Sequence, residues 1–281
     1  MKVAHSIGAS DVRRFRDWLV ENERSEATIA KYLRDVNAFR RFLDNRQICK
    51  ELVIAYKEEV RRAYSVASAN SMLAAINRFL AFKGLLECRV KLFRIQHSAY
   101  VDAERELTRA EYFRLLEAAA QRGNWRLEML LMTIGGTGVR VSELQYITAE
   151  AVHKGRAVID LKGKSRTILI AGRLRKRLIA YMQKANIQSG SLFVTRTGRP
   201  LDRSNIWKEM KSLCAAAQVR PGKVFPHNIR HLFARCYYQQ NKDIVKLADI
   251  LGHSNIDTTR IYLIDTGAKH LKTLERTGLI A

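Results

Sequence analysis

Between Ile29 and Leu43 the chain places Leu33, Val36 and Phe39 at steps of three and four residues, which is the rhythm of an α-helix with one apolar face. The same spacing recurs in Val12, Phe15, Trp18 and Leu19, and again in Leu73, Ile76, Phe79 and Leu80. Ser25 stands where an N-cap is needed and Gly84 where a helix should stop. With a further helix over 48–63, residues 1–88 are expected to form a compact four-helix unit. Only 3 prolines and 15 glycines interrupt 281 residues, so helix should dominate elsewhere as well.

The periodicity lapses over 89–105, a stretch expected to be a linker. A second domain, 106–281, opens at the T-x-x-E capping box of Thr108 and Glu111, and Gly123 is placed to close that helix. Another helix should run from about Trp125 to Thr133. Two short β-branched runs within 156–170 flank Lys162-Gly163-Lys164 and predict a hairpin, with 191–195 as a candidate edge strand. Helices are expected again over 172–185, 203–218, 227–239, 243–251 and 268–276. The fold class is therefore mainly α with a small β-sheet.

Charge narrows the partner. Fifty Lys+Arg against 27 Asp+Glu leave +23, and the excess is spread: residues 1–103 carry 19 basic against 12 acidic side chains, the remainder 31 against 15. Two basic folded domains fit a polyanion that both touch, with nucleic acid ahead of a membrane surface. No apolar run has the length of a bilayer-spanning helix, and the first residues lack an apolar signal core. The scattered Cys49, Cys88, Cys214 and Cys236 form no C-x-x-C pair. Reduced thiols and a cytoplasmic location are the expectation.

Four segments of the second domain hold unusual polar residues. In "GGTGVRVSEL" a glycine-rich bend is expected to lead into a helix bearing Arg140 and Glu143, glycines that could admit a phosphate. Lys162 sits at the hairpin tip, where it could donate a proton. In "FPHNIRHLFA" His227 and Arg230 share a helix face; His231 completes an H-x-x-x-H spacing, but the intervening arginine disfavours a metal. In "LGHSNIDTTRIY" Gly252 stops a helix ahead of His253, and Tyr262 follows a threonine pair, Thr258 and Thr259. Taken singly, these are surface pairs, a solvated lysine, a helix cap and a half-buried tyrosine. Taken together they suit one reaction at a phosphodiester. Guanidiniums bind the non-bridging oxygens, histidines bond them or help move a proton, lysine protonates a leaving oxygen, and tyrosine attacks. That chemistry needs no metal and no other cofactor.

These boxes resemble the tyrosine recombinases, the phage-integrase and Xer-type site-specific DNA recombinases. Thr137-Gly138-Val139-Arg140-Val141-Ser142-Glu143-Leu144 is similar to the family's T-G-x-R-x-S-E-L box, and His227-Asn228-Ile229-Arg230-His231 to its H-x-[LI]-R-H box. Lys162 matches its hairpin lysine, and Leu251-Gly252-His253 with Tyr262 its final box. The resemblance implies a SAM-like core-binding domain over 1–88 and a catalytic domain over 106–281 whose segment from about 266 docks on a neighbour. It implies Arg140, Lys162, His227, Arg230, His253 and Tyr262 as the catalytic set, with a 3′-phosphotyrosyl intermediate, a Holliday junction and no metal or ATP. The partners implied are double-stranded DNA, a homotetramer on that DNA from a free monomer or dimer, and, in some systems, a DNA-bending protein or a second recombinase. With no arm-binding domain ahead of residue 10, a simple Xer-like or mobile-element enzyme is the expectation. Relaxation of supercoils without site specificity, and DNA binding without catalysis, are the competing readings on the same fold.

Overall fold

The computed structural model describes residues 7–95, 103–161, 164–253, 255–263 and 276. The chain divides into two compact units, Met1–His97 and Ser98–Ala281.

The first unit is built from α1 (Ala9–Glu21), α2 (Glu26–Leu43), α3 (Lys50–Ala63) and α4 (Val66–Phe82). Each begins and ends for a local reason. Ser25 Oγ accepts from the Thr28 N–H at the start of α2, and Gly84 takes φ +75° just past α4. The apolar faces meet in one core around Phe15, Val36, Phe39, Leu73, Ile76 and Phe79. Buried Asp11 ties α1 to the end of α4 by accepting from Lys83 at 2.9 Å. Burial alone would raise the Asp11 carboxyl, but its bonds to Lys83, the Gly8 N–H and Arg14 outweigh that and hold it at about 2. The opening of the expected linker is fastened to this unit: Asn77 and Asn70 side chains bond the backbones of Val90 and Phe93. Aperiodic sequence here is irregular backbone satisfied by two asparagines.

The second unit contains α5 (Arg109–Gln121), α6 (Trp125–Thr137), α7 (Ala149–Lys154), the antiparallel strands β1 (Arg156–Leu161) and β2 (Lys164–Leu169), α8 (Gly172–Lys184), α9 (Arg203–Ser212), α10 (Pro226–Asn241), α11 (Ile244–Leu251) and α12 (Ile256–Arg260). The Thr108/Glu111 capping box opens α5 as expected. Its core surrounds α6, which packs against α5, α8 and α10. A smaller cluster of Ala234, Leu247, Leu251 and Tyr262 joins the last described helices to α10.

Three expectations fail. Gly135 and Gly136 are helical, and α6 runs one turn beyond Thr133, to Thr137, before Gly138 turns left-handed at φ +65°. Helix α9 stops at Ser212. Residues 191–195 add no strand to the sheet; they form only isolated bridges, Thr148 to Ser191 and Val194 to Pro200. Leu192 and Phe193 there are buried because they fill the core rather than alternate across a sheet. Helix α7 was not expected, although Thr148 and Gly155 cap it in the usual way. The helix expected over 268–276 and the C-terminal segment from about 266 fall, Arg276 aside, outside the described residues.

The glycines of α6 serve packing. A Cβ on Gly135 would collide with the hydroxyl and ring of Tyr112, whereas one on Gly136 would press only the flexible end of Leu174. Gly135→Ala is therefore expected to lose up to about 2 kcal/mol, an overpacking cost of about 1–3 kcal/mol offset by a gain of about 1 kcal/mol in helix propensity. Gly136→Ala should stay within about 1 kcal/mol of the parent. Urea denaturation of both variants checks the contrast.

Candidate active site

The last carbonyls of a helix lack intrahelical partners, and the site is assembled on two helix ends that turn off through left-handed glycines. Gly138 closes α6, and Gly252 closes α11 with φ +63°. Both turns also need glycine for space: a Cβ at Gly138 would strike Phe233, and one at Gly252 would strike Arg166. Between them α10 projects Arg230, the largest fully buried side chain of the described residues, 1% exposed. Its Nη1 donates to the Gly138 carbonyl, and its Nη2 donates to the Leu251 carbonyl at 2.7 Å and contacts His253 Nε2 at 2.9 Å. One guanidinium thus joins the ends of α6 and α11 to the turn that carries His253.

Arg140 follows the Gly138 turn and caps a 3-10 helix, Val141–Tyr146. Its backbone N–H donates to Glu143 Oε2, its Nη1 to Glu143 Oε1 at 2.8 Å, and its Nη2 to the Gly252 carbonyl at 2.9 Å. Arg140 and Glu143 are therefore no solvated pair, since Glu143 is 3% exposed. Glu143 Oε2 also accepts from Arg166 on β2, which donates in addition to the Ile250 carbonyl at 2.8 Å. Burial would raise the Glu143 carboxyl, but the Arg140 N–H and the Arg166 and Arg140 guanidiniums win and hold it below the usual range. Burial and the neighbouring Arg140 push Arg230 down to about 10.

Tyr262 is buried, at 5% exposure, beneath three imidazoles. Its ring centroid lies 4.0 Å from that of His231, 5.2 Å from His253 and 5.4 Å from His227. Its hydroxyl is 3.4 Å from His227 Nε2. The imidazoles are held neutral here. Burial, then His227, Arg235, Arg230 and His253, lowers His231 to about 3. Burial, then Arg230, Arg140, Arg166 and His227, lowers His253 to about 4. His227 is shifted down by desolvation first and then by Arg230, Arg203 and Arg140, although its side chain still reaches the surface. A cleft of about 750 Å3 reaches this cluster at His227 and is lined also by Arg140, Arg230, Leu201, Arg203 and Trp207.

The structure brings five of the six expected residues together: Arg140, His227, Arg230, His253 and Tyr262. Lys162, at the hairpin tip, lies outside the described residues. Within the glycine-rich segment, Gly135 and Gly138 admit the side chains of Tyr112 and Phe233. The roles of two further residues are not read from the sequence. Arg166 could have been noticed as a charge on the inward-facing side of β2, in phase with buried Ile168 and Ile170. Thr259, fully buried, bonds His253 Nδ1 through its hydroxyl at 2.8 Å. Among the described residues no three His, Cys, Asp or Glu side chains gather as a metal site, and no helix is long and apolar enough to cross a membrane.

Comparison with known proteins agrees with this architecture. Residues 105–267 match the phage integrase family, and residues 11–84 match the N-terminal SAM-like domain of phage integrases. The tyrosine recombinase XerA of Pyrococcus furiosus is 30% identical over 227 residues, covering 78% of this chain and 77% of that protein. The XerH site-specific recombinase, solved on its difH substrate before cleavage, superposes with a TM-score of 0.69 at 18% identity over 92% of this chain and 82% of that one. A lambda integrase tetramer bound to a Holliday junction gives 0.68 at 17% identity over 90% and 76%.

The lowered imidazoles fix the sign of a pH effect. The unfolded chain, with histidines near 6.5, takes up protons that folded His231 and His253 refuse. Stability is complete above about pH 7 and falls as pH drops through 6.5 towards 4; Asp11 adds its own loss only below about pH 4. Urea midpoints should be lower at about pH 5 than at about pH 7.5, and His231→Asn should flatten the difference. Equal midpoints in the parent protein would contradict the assignment.

Proposed function

Because the chain belongs to the phage integrase family, the tyrosine recombinases, we propose that it cuts and rejoins double-stranded DNA at a specific core site with Tyr262 as the nucleophile. The observation that carries this reading is a cleft lined by Arg140, His227 and Arg230, with the Tyr262 hydroxyl 3.4 Å from His227 Nε2 behind it. The scissile phosphate sits there, where the N–H groups of Arg140 and Arg230 left over from their protein bonds face its non-bridging oxygens. Charge that develops on those oxygens is stabilised by cations already in place.

The Tyr262 oxygen forms the bond to phosphorus and its proton passes to His227 Nε2, an imidazole kept neutral by its surroundings and so able to accept it. The bond from phosphorus to the 5′ oxygen breaks, and Lys162 gives the leaving oxygen a proton. A 3′-phosphotyrosyl link and a free 5′-hydroxyl result. Attack by the partner strand's 5′-hydroxyl runs the step backwards, so no ATP is consumed. Strand exchange proceeds through a Holliday junction in a homotetramer. The cations of this step belong to the chain, so the reading assigns it no metal. Residues 1–88 hold the other face of the DNA, and the segment from about 266 docks on a neighbouring subunit.

A pool of nicked duplexes of random sequence tests the reading. Adducts that survive SDS and vanish with proteinase are recovered and sequenced. The parent protein should yield adducts enriched in one core sequence, and Tyr262→Phe none. Adducts that persist in Tyr262→Phe would remove Tyr262 as nucleophile, and adducts without sequence enrichment would favour a topoisomerase. Yield should be unchanged in EDTA, and binding should weaken steeply with salt as phosphate contacts release counterions.

A further inference from the structure

Three guanidiniums from three different elements reach successive carbonyls at the end of α11. Arg166 of β2 donates to Ile250 at 2.8 Å, Arg230 of α10 to Leu251 at 2.7 Å, and Arg140 to Gly252 at 2.9 Å. Carbonyls at a helix C-terminus carry partial negative charge, so this turn holds each cation in a fixed place. Arg140 and Arg230 line the cleft, and Arg166 stands behind them. The Arg166 side chain is 14% exposed against 38% for Arg140, and its stem lies under Gly252, where an added Cβ would strike it.

A buried cation outside the cleft needs a physical reason, and Glu143 supplies one. This carboxylate is almost fully buried and accepts from Arg140 Nη1 on Oε1 at 2.8 Å. Paired one to one, the two would cancel, and Arg140 would offer a phosphate little net charge. Arg166 prevents this by donating to Glu143 Oε2, the oxygen that also accepts from the Arg140 backbone N–H. Two cations then share one anion, and Oε1 is left turned to the Arg140 fork. We propose that Arg166 is a positioning residue for the anion site: it offsets Glu143 from behind, so that Arg140 keeps both its orientation and its charge for a phosphate in the cleft. This rests on the reading of that cleft as the seat of the scissile phosphate. The contribution reaches the anion through Glu143 and Arg140, without contact, and the low dielectric around buried groups lets it act over that distance.

Three proteins and two readouts test this. Arg166→Met keeps the stem under Gly252 and removes the charge. Arg166→Lys keeps the charge. Glu143→Gln added to Arg166→Met removes the anion that Arg166 had offset. Inorganic sulfate at constant ionic strength is the probe, followed by the side-chain N–H resonances of arginine-labelled free protein. The sulfate Kd should rise at least about 5-fold in Arg166→Met, stay within about 2-fold of the parent in Arg166→Lys, and return towards the parent in the double variant. Single-turnover cleavage of the duplex selected above should follow the same order, falling at least about 10-fold in Arg166→Met, while DNA affinity, spread over many phosphates, changes less than about 2-fold. Parental sulfate binding in Arg166→Met overturns the proposal. So does a loss that Glu143→Gln leaves or deepens, because a scaffold that has merely lost a bond gains nothing from losing another. If Arg166→Met does not fold, Glu143→Gln alone decides: it should tighten sulfate binding, and weaker binding overturns the account. If the parent binds sulfate and the variants rank as stated but no protein cleaves DNA, the cleavage reading fails while the role of Arg166 stands.

Discussion

Everything in the catalytic unit converges on a guanidinium that water hardly reaches. Arg230 binds carbonyls at the ends of two helices and the imidazole of the turn after the second. Burying a charge without a carboxylate beside it is costly, and loss of such a group strands its partners. Here the partners are helix-end carbonyls, whose partial negative charge suits a cation. The only buried carboxylate of the cluster among the described residues, Glu143, is shared by Arg140 and Arg166 instead. Three guanidiniums therefore face one carboxylate, and the cluster carries surplus positive charge.

The same surplus explains the histidines. Imidazoles ringed by arginines stay neutral, and neutral imidazoles can meet the Tyr262 ring edge-on and accept its proton. A site with protonated histidines would hold phosphate more tightly in the ground state and would leave the tyrosine proton nowhere to go.

Much of this was legible in the sequence, and the failures have physical causes. The helices of the first unit follow from their apolar rhythm and from caps such as Ser25, because nothing in that unit overrides local preference. The chemistry-bearing residues were visible because polar groups stand at helix ends and turns in a strongly basic chain. The glycines before Arg140 misled because glycine signals a bend, whereas Gly135 is present to admit Tyr112 against a continuing helix. That requirement comes from α5, and no local window contains it. Arg166 and Thr259 were missed for the same reason: each acts through a partner remote in sequence or hidden by a turn, Glu143 in one case and His253 in the other. Leu192 and Phe193 look like a strand because they are apolar and bounded by turns, but they pack into a core made by helices.

Hydrogen exchange on Arg230→Lys, compared with the parent protein, tests the central role of this side chain most directly. Lysine keeps the charge but cannot reach two carbonyls and an imidazole at once. The account predicts that protection falls together at the turn around Gly138, at the end of α11 through His253, and along α12 to Tyr262, while the first unit is unchanged. Parental protection in those three segments would show that they hold their places without Arg230, and would contradict it.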